Sequence, residues 1–330
     1  YTNLGFSFQE IGNYKSAIQY YKKALSIDTK HTNAHNNLSM SLLKTGDIKR
    51  GWEHYEYRNS INEDKDDYAK LFKNFVKNKP LWNGEPIDTG LFIWPEQGIG
   101  DLIMFAKLFA FLPKNKKIIV CLDDRLIKIF ERSFPELIFV KQSTYKNDLE
   151  SHSLNFDYQI PIGSLAKLFL PSYDKLEDFE KAYLYSDKEK TSSIREKIKK
   201  ENKLIIGISW RTTSKKFGKD RNIPLNLLSK KLNHDQIKLV NLQYGNVSEE
   251  IVLLKKDDDV SIMQINDIDI FNDIDSFSSL IDACDLVVTI DNSTAHLAGS
   301  LGKETYLLLP KVSDWRWMLD EDYTPWYKSL

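Results

Sequence analysis

Cysteine is nearly missing: the 330 residues contain two, Cys121 and Cys284. Each lies in an apolar run, KIIVCLD and LIDACDLVV, and there is no CxxC pair and no Cys/His cluster with zinc spacing. A disulfide framework and a structural zinc site are therefore excluded, and two buried thiols fit a reducing, cytoplasmic setting. An excess of charge is missing as well. The chain has 46 basic and 47 acidic residues and a formal net charge of -1. Nothing pulls it as a whole toward nucleic acid or an anionic membrane. No apolar run approaches the ~20 residues that span a bilayer, and no signal peptide is visible. Tyr1 is not a start residue and the chain opens inside a repeat, so further repeats are expected ahead of it.

What is present is an ordinary globular mixture, 42% hydrophobic and 28% charged, over a length that asks for two or three domains. The first domain is repetitive. Leu4 matches Leu38, Gly5 Ser39, Phe8 Leu42, Gly12 Gly46, Ala17 Gly51 and Tyr21 Tyr55, every pair 34 positions apart. That is the period of the tetratricopeptide repeat. The small members let two helices cross closely, the large ones fill the gap between them, and Gly12 and Gly46 end the first helix of each pair. Residues 1–60 are expected to form the last two units of a longer array, since two units are fewer than such a stack normally needs.

Residues 61–79 are charged and read as a connector. From Pro80 onward, apolar runs of strand length alternate with helical stretches, as a parallel sheet with helices on both faces requires. Strands are expected at 90–95, 117–123, 137–142 and 156–162. The polar stretch Tyr185–Lys203 reads as a junction, after which strands are expected at 203–210, 237–243, 286–291 and 305–310. This predicts two α/β units in series, 80–186 and 187–330, whose ligands bind beyond the carboxyl ends of the strands.

Three segments carry candidate chemistry. In WPEQGIGDLIMF (94–105) a strand runs through Glu96, Gln97, Gly98 and Gly100 to Asp101 at the start of a helix. The glycines permit a sharp turn and the helix N-terminus suits an anion, or else Asp101 simply caps the helix. In IDNSTAHLAGSLG (290–302), Asn292, Ser293, Thr294 and His296 surround another strand-to-helix turn. It reads either as an anion cradle or as a well-capped helix with His296 packed on the sheet. In ISWRTTSKKFGKDRNIPL (208–225), Arg211 follows a strand, and Lys215, Lys216, Lys219 and Arg221 follow in a loop. Arg211 is the best placed of these to meet a phosphate, and the lysines fit a solvated loop. Gln243 stands at another strand end. No Walker lysine and no serine-hydrolase elbow occurs.

Taken in order, GWEHYEYR, PLWNGEP, WPEQGIGDLIMF, ISWR, DNSTAHLAGSLG and LLPKVSDWRWM resemble a bacterial group of tetratricopeptide-repeat proteins. The C-terminal region of that group is similar to glycosyltransferase family 9, the heptosyltransferase-like enzymes. The resemblance spans nearly the whole chain. It implies a GT-B fold of two Rossmann-like lobes facing a cleft, with the acceptor on the first lobe and the nucleotide sugar on the second. It also implies inverting transfer that needs neither metal nor cofactor. Asp101 matches the proposed general base, Arg211 the basic residue that steadies the departing diphosphate, and Ser293, Thr294 and His296 the pyrophosphate turn. Asn292-Ser293 stands where heptosyltransferases usually have Thr-Gly, and the group's C-terminal segment extends further than Leu330. The implied partners are a nucleotide-diphosphate sugar and a protein acceptor, such as a surface or flagellar protein, recruited by the repeats. The competing expectation is a protein-binding scaffold whose GT-B region is inactive.

Overall fold

Gly12 and Gly46 sit one repeat apart, each with a left-handed φ, +80° and +83°. They end the first helix of each pair, as the period predicts. A computed structural model describes residues 1–58, 72, 75–147, 154–176, 181–199, 202–212, 218–319 and 324–330. Helices α1 (Thr2–Glu10), α2 (Tyr14–Ile27), α3 (Thr32–Lys44) and α4 (Ile48–Tyr55) form the two repeats. Ala17, Tyr21, Leu38 and Leu42 make their core. Gly5 is required by close approach: a Cβ there would lie 2.6 Å from the Tyr21 ring.

Two histidines meet inside the second repeat. His35 Nδ1 lies 2.7 Å from His54 Nδ1, and His35 Nε2 lies 3.0 Å from the Thr29 carbonyl oxygen. That carbonyl needs a donor, which puts the neutral proton of His35 on Nε2 and makes its Nδ1 the acceptor from His54. Burial, and then the neighbouring His35, hold His54 below the usual histidine range, against a smaller opposite pull from Glu53. The folded state thus binds the His54 proton less readily than the unfolded chain does. Stability from this group is present above the unfolded pKa of about 6.5 and is lost as pH falls through the folded value. Denaturant unfolding at pH 7.5 and 5.5 should show a lower midpoint at pH 5.5, and His54→Gln should reduce that difference. An unchanged difference in the variant would rule His54 out as its source.

The chain divides into two compact units. Unit 1 holds the repeats, residues up to Asp124, residues 136–179 and the returning segment Lys311–Trp326. Its sheet is parallel, with strands β1 (Leu91–Trp94), β2 (Ile118–Leu122), β3 (Ile138–Lys141) and β4 (Tyr158–Pro161) in the order β3-β2-β1-β4. Helix α5 (Ile99–Ala106) follows β1. The connector expected over 61–79 falls mostly outside the described residues. Phe72 and Val76, which are described, are buried with Phe92, Trp94 and Phe156 and so form part of the core beside this sheet.

The last repeat is built into unit 1. Trp52 of α4 meets the rings of Tyr55, Phe105, Trp315 and Trp326 at 5.3–6.3 Å. Lys44, 2% exposed, donates to Ser313 Oγ at 2.5 Å and to the carbonyls of Asp314, at 3.0 Å, and Met318.

Unit 2 comprises Arg125–Pro135, Glu180–Pro310 and Tyr327–Leu330. Its strands β5 (Leu204–Ile208), β6 (Ile237–Asn241), β7 (Ile262–Met263), β8 (Leu286–Ile290) and β9 (Thr305–Leu308) pair in parallel in the order β7-β6-β5-β8-β9. Helix α6 (Ile127–Ser133) belongs here although it follows β2 of unit 1. Arg132 binds Asp275 of α8 (Ile274–Ala283) at 2.7 Å, and α8 also packs on α7 (Lys188–Ile198). The compact units therefore cross the boundaries read from sequence: 125–135 joins unit 2 and 311–326 joins unit 1. Both cysteines are buried and free. Burial raises both thiols, Cys284 to about 12, so neither is a ready nucleophile. Among the described residues no helix is long and apolar enough to cross a membrane.

Candidate functional site

In each parallel sheet the chain leaves two neighbouring strands in opposite directions, and such switch points are where α/β sheets take ligands. In unit 1 the switch lies between β1 and β4. Glu96, just past β1, was expected to touch a ligand. It is instead 5% exposed and closed in by the protein. Arg58 donates to it through Nε at 2.9 Å and Nη2 at 2.5 Å, and the Gly163 N–H donates to it at 2.9 Å. A Cβ at Gly163 would lie 2.6 Å from Glu96 Oε1, so the loop after β4 must pass there without a side chain. An arginine from the last repeat thus takes up the Glu96 carboxylate that a ligand's donor group would otherwise meet.

The helix start that follows is more open. Gly98 is the N-cap of α5, with φ -70°, and a Cβ on it would meet nothing within 4 Å. Neither Gly98 nor Gly100 has the positive φ that a glycine-dependent turn would require. Asp101 lies in the first turn and makes no cap hydrogen bond, so the capping alternative fails. Its partner is Arg316 of the returning segment, whose Nε donates to Asp101 Oδ1 at 2.9 Å and whose Nη2 donates to the same oxygen. Arg316 also binds Asp314 at 2.6 Å and lies over the Trp315 ring. Burial works against the Arg316 charge, but Asp101, Asp314 and Tyr55 outweigh it and raise its pKa well above the usual arginine value. Gln97 meets the Tyr55 hydroxyl at 2.5 Å. With its amide nitrogen and oxygen exchanged, it also donates to the two Asp101 oxygens at 3.3 and 3.2 Å.

In unit 2 the switch lies between β5 and β8. Asn292 joins the two strand ends. Its Oδ1 caps α9 (Ser293–Ser300), accepting from the N–H of Thr294 at 2.9 Å and of Ala295 at 3.3 Å. Its Nδ2 donates to Ser209 Oγ at 2.8 Å. Gln243 is a brace: its Oε1 accepts the N–H groups of Trp210 at 2.9 Å and Arg211 at 2.8 Å. It shapes the loop after β5 rather than presenting a free amide to a ligand. The Arg211 guanidinium donates to the Asn246 carbonyl at 2.7 Å, and its side chain stays 36% exposed. Arg221 pairs with Asp291 at 3.1 Å, at the end of β8.

His296 is buried, its Nδ1 2.8 Å from the Tyr327 hydroxyl. The small Gly299 makes room for the same tyrosine, whose ring a Cβ would meet at 2.5 Å. Thr294 is fully buried and Ser293 only half-buried. No described residue bonds the Ser293 hydroxyl, so it is the open hydroxyl of this turn. Lys215 lies outside the described residues.

The structure thus collects Gln97, Gly98, Gly100 and Asp101 in unit 1, and Arg211, Arg221, Asn292 and Ser293 in unit 2. Sequence reasoning missed Arg58, Tyr55, Ser209 and Arg316. All four stand inside motifs that the resemblance rests on, Tyr55 and Arg58 in GWEHYEYR, Ser209 in ISWR and Arg316 in SDWRWM, with no local sign of their partners.

Comparison with known proteins follows the same division. Residues 1–31 match the tetratricopeptide repeat family. A solved glycosyl transferase family 9 structure from Veillonella parvula superposes with a TM-score of 0.52 at 11% identity, covering 69% of this chain and 84% of that one. The α/β part shares that fold. In sequence the chain is similar to protein FlbA of Caulobacter vibrioides, 30% identical over 308 residues, covering 88% of this chain and 50% of the relative. It is also similar to the Sol locus transcriptional repressor of Clostridium acetobutylicum, 27% identical over 150 residues, covering 38% of this chain and 45% of the relative. The chain spans about half the length of these curated relatives or less.

Proposed function

We propose that the chain transfers a sugar from a nucleotide-diphosphate donor to a hydroxyl of a protein recruited by the repeats. The observation that carries this reading is the β5/β8 switch point. There a capped helix N-terminus, the open Ser293 hydroxyl and the partly exposed Arg211 lie at the carboxyl ends of two neighbouring central strands. The dipole of a helix favours an anion at its N-terminus, and an arginine matches phosphate in geometry and charge. In the reaction the acceptor oxygen bonds the sugar's anomeric carbon, and the bond from that carbon to the diphosphate breaks. Arg211 and the helix terminus receive the charge of the leaving diphosphate. Asp101 takes the acceptor's proton. Both Arg316 bonds fall on its Oδ1, which fixes the carboxylate, and Oδ2, 3.2 Å from the exchanged Gln97 amide, is the oxygen that acts. Inverting, metal-independent transfer is part of this reading, and the free thiols of Cys121 and Cys284 support a cytoplasmic setting.

The second reading is a binding scaffold without transfer. In its favour, Asp101 and Arg211 both already have partners within the chain. Thermal-shift measurements with UDP, GDP, ADP, dTDP and CMP and their sugars separate the two. One nucleotide family should stabilise the chain, by about 2.7 kcal/mol at a hundredfold excess over its Kd, and Arg211→Gln should weaken that binding about tenfold or more. If none of them stabilises the protein, the scaffold reading stands instead.

A further inference from the structure

Within unit 1, the repeats, the loop after β1 and the returning segment line an open cavity of about 210 Å³. Asn36 and Met40, one turn apart on α3, form one wall, and Tyr55, Gln97, Trp315 and Arg316 form the others. Asp101 adjoins it through Gln97 and Arg316.

The chemistry of the lining narrows the occupant. The two guanidinium groups present, Arg58 and Arg316, are already matched by Glu96 and Glu56 and by Asp101 and Asp314. A further anion would find no unmatched positive charge in the lining, so the occupant is uncharged. Trp315 and Tyr55, edge to face at 5.9 Å, offer apolar ring surface. The Asn36 carboxamide is half-buried and bonds no described residue. It can donate to and accept from a peptide group at once.

The shape of the surrounding surface narrows it further. Thr2 and Phe6 stand one 34-residue period before Asn36 and Met40, and Phe6 is 43% exposed. The face that lines the cavity therefore continues along α1 as a strip, which an elongated chain can follow and a compact sugar cannot.

We propose that this cavity receives a serine or threonine of an extended, uncharged peptide segment lying along α1 and α3, with its hydroxyl presented to Asp101. The inference rests on the sugar-transfer reading and specifies its acceptor subsite. Asn36 grips the peptide backbone, Met40 and Trp315 enclose the short side chain, and Gln97 sets the approach to the carboxylate.

The test uses the full chain and an array of synthetic peptides with uncharged flanks and a central Ser, Thr or Ala, beside neutral oligosaccharides. A subset of the Ser and Thr peptides should bind and their Ala counterparts should not. Met40→Arg, which fills the cavity, should weaken that binding about tenfold or more. Asn36→Ala, which removes a carboxamide that bonds no described residue, should weaken it severalfold. The thermal shift with nucleotides is recorded for every variant. Absence of peptide binding, or binding unaltered in both variants, overturns the inference. So does an oligosaccharide that binds the wild-type chain and is lost in Met40→Arg. If nucleotides stabilise the chain while the peptides fail, the acceptor subsite alone falls. If nucleotides fail, the transfer reading falls with it.

Discussion

Replacing Arg58 with methionine is expected to lower the unfolding free energy of the chain by about 3–5 kcal/mol. The size follows from what the change leaves behind. The Glu96 side chain is 1% exposed and the Arg58 side chain 5%. Methionine keeps much of the arginine's volume but strands a carboxylate away from water, with the Gly163 N–H as its remaining strong donor. Removing one partner of a buried pair costs far more than the pair contributes, because the penalty is the desolvated charge that remains. The double variant Arg58→Met, Glu96→Gln should therefore recover most of the loss. The amide is neutral, and its oxygen still accepts from Gly163. Urea unfolding of the three proteins decides the matter. A single variant within about 1 kcal/mol of wild type would mean that water reaches Glu96 and that the repeat is not anchored there.

Asp101→Ala is expected to keep nucleotide binding and to lose transfer by about 10²–10⁴-fold, the range of a positioned general base. The fold should survive, since Arg316 retains Asp314 and its stack on Trp315. Asp101→Asn is the stricter variant: it preserves shape and an oxygen for Arg316 while removing the basic carboxylate. A loss of the same order in both, with an unshifted nucleotide affinity, assigns the role to proton transfer. Normal turnover in either would sink the assignment. If only the alanine variant is impaired, Asp101 positions Arg316 and takes no proton.

Much of the framework could be read from the chain itself because it rests on local or periodic signals. The 34-residue offset placed Gly12, Gly46, Tyr21 and Tyr55, and the core shared by the two repeats follows it. Apolar runs such as Leu91–Trp94 and Leu204–Ile208 gave the strands, since strands covered on both faces have few polar positions. The site was less legible. Glu96 beside two glycines has the look of a ligand loop, and nothing local reveals an arginine 38 positions earlier that occupies it. Arg316 lies 215 positions from Asp101. Gln243 and Asn292 carry polar groups at strand ends, where a ligand contact and a backbone brace look alike in sequence. They differ only in whether a neighbouring loop has already taken their hydrogen bonds.

The returning segment also has a consequence in time. Lys44 is buried against residues 313–318, about 270 positions later in the chain, and Trp52 meets Trp315 and Trp326. During synthesis at about 5–20 residues per second, the second repeat waits roughly 13–55 s for those partners. Most of unit 2 emerges in that interval and its sheet can close first. The second repeat is made well before the segment that completes its packing. A holdase acting on the nascent chain would find its apolar target in the exposed ring of Trp52.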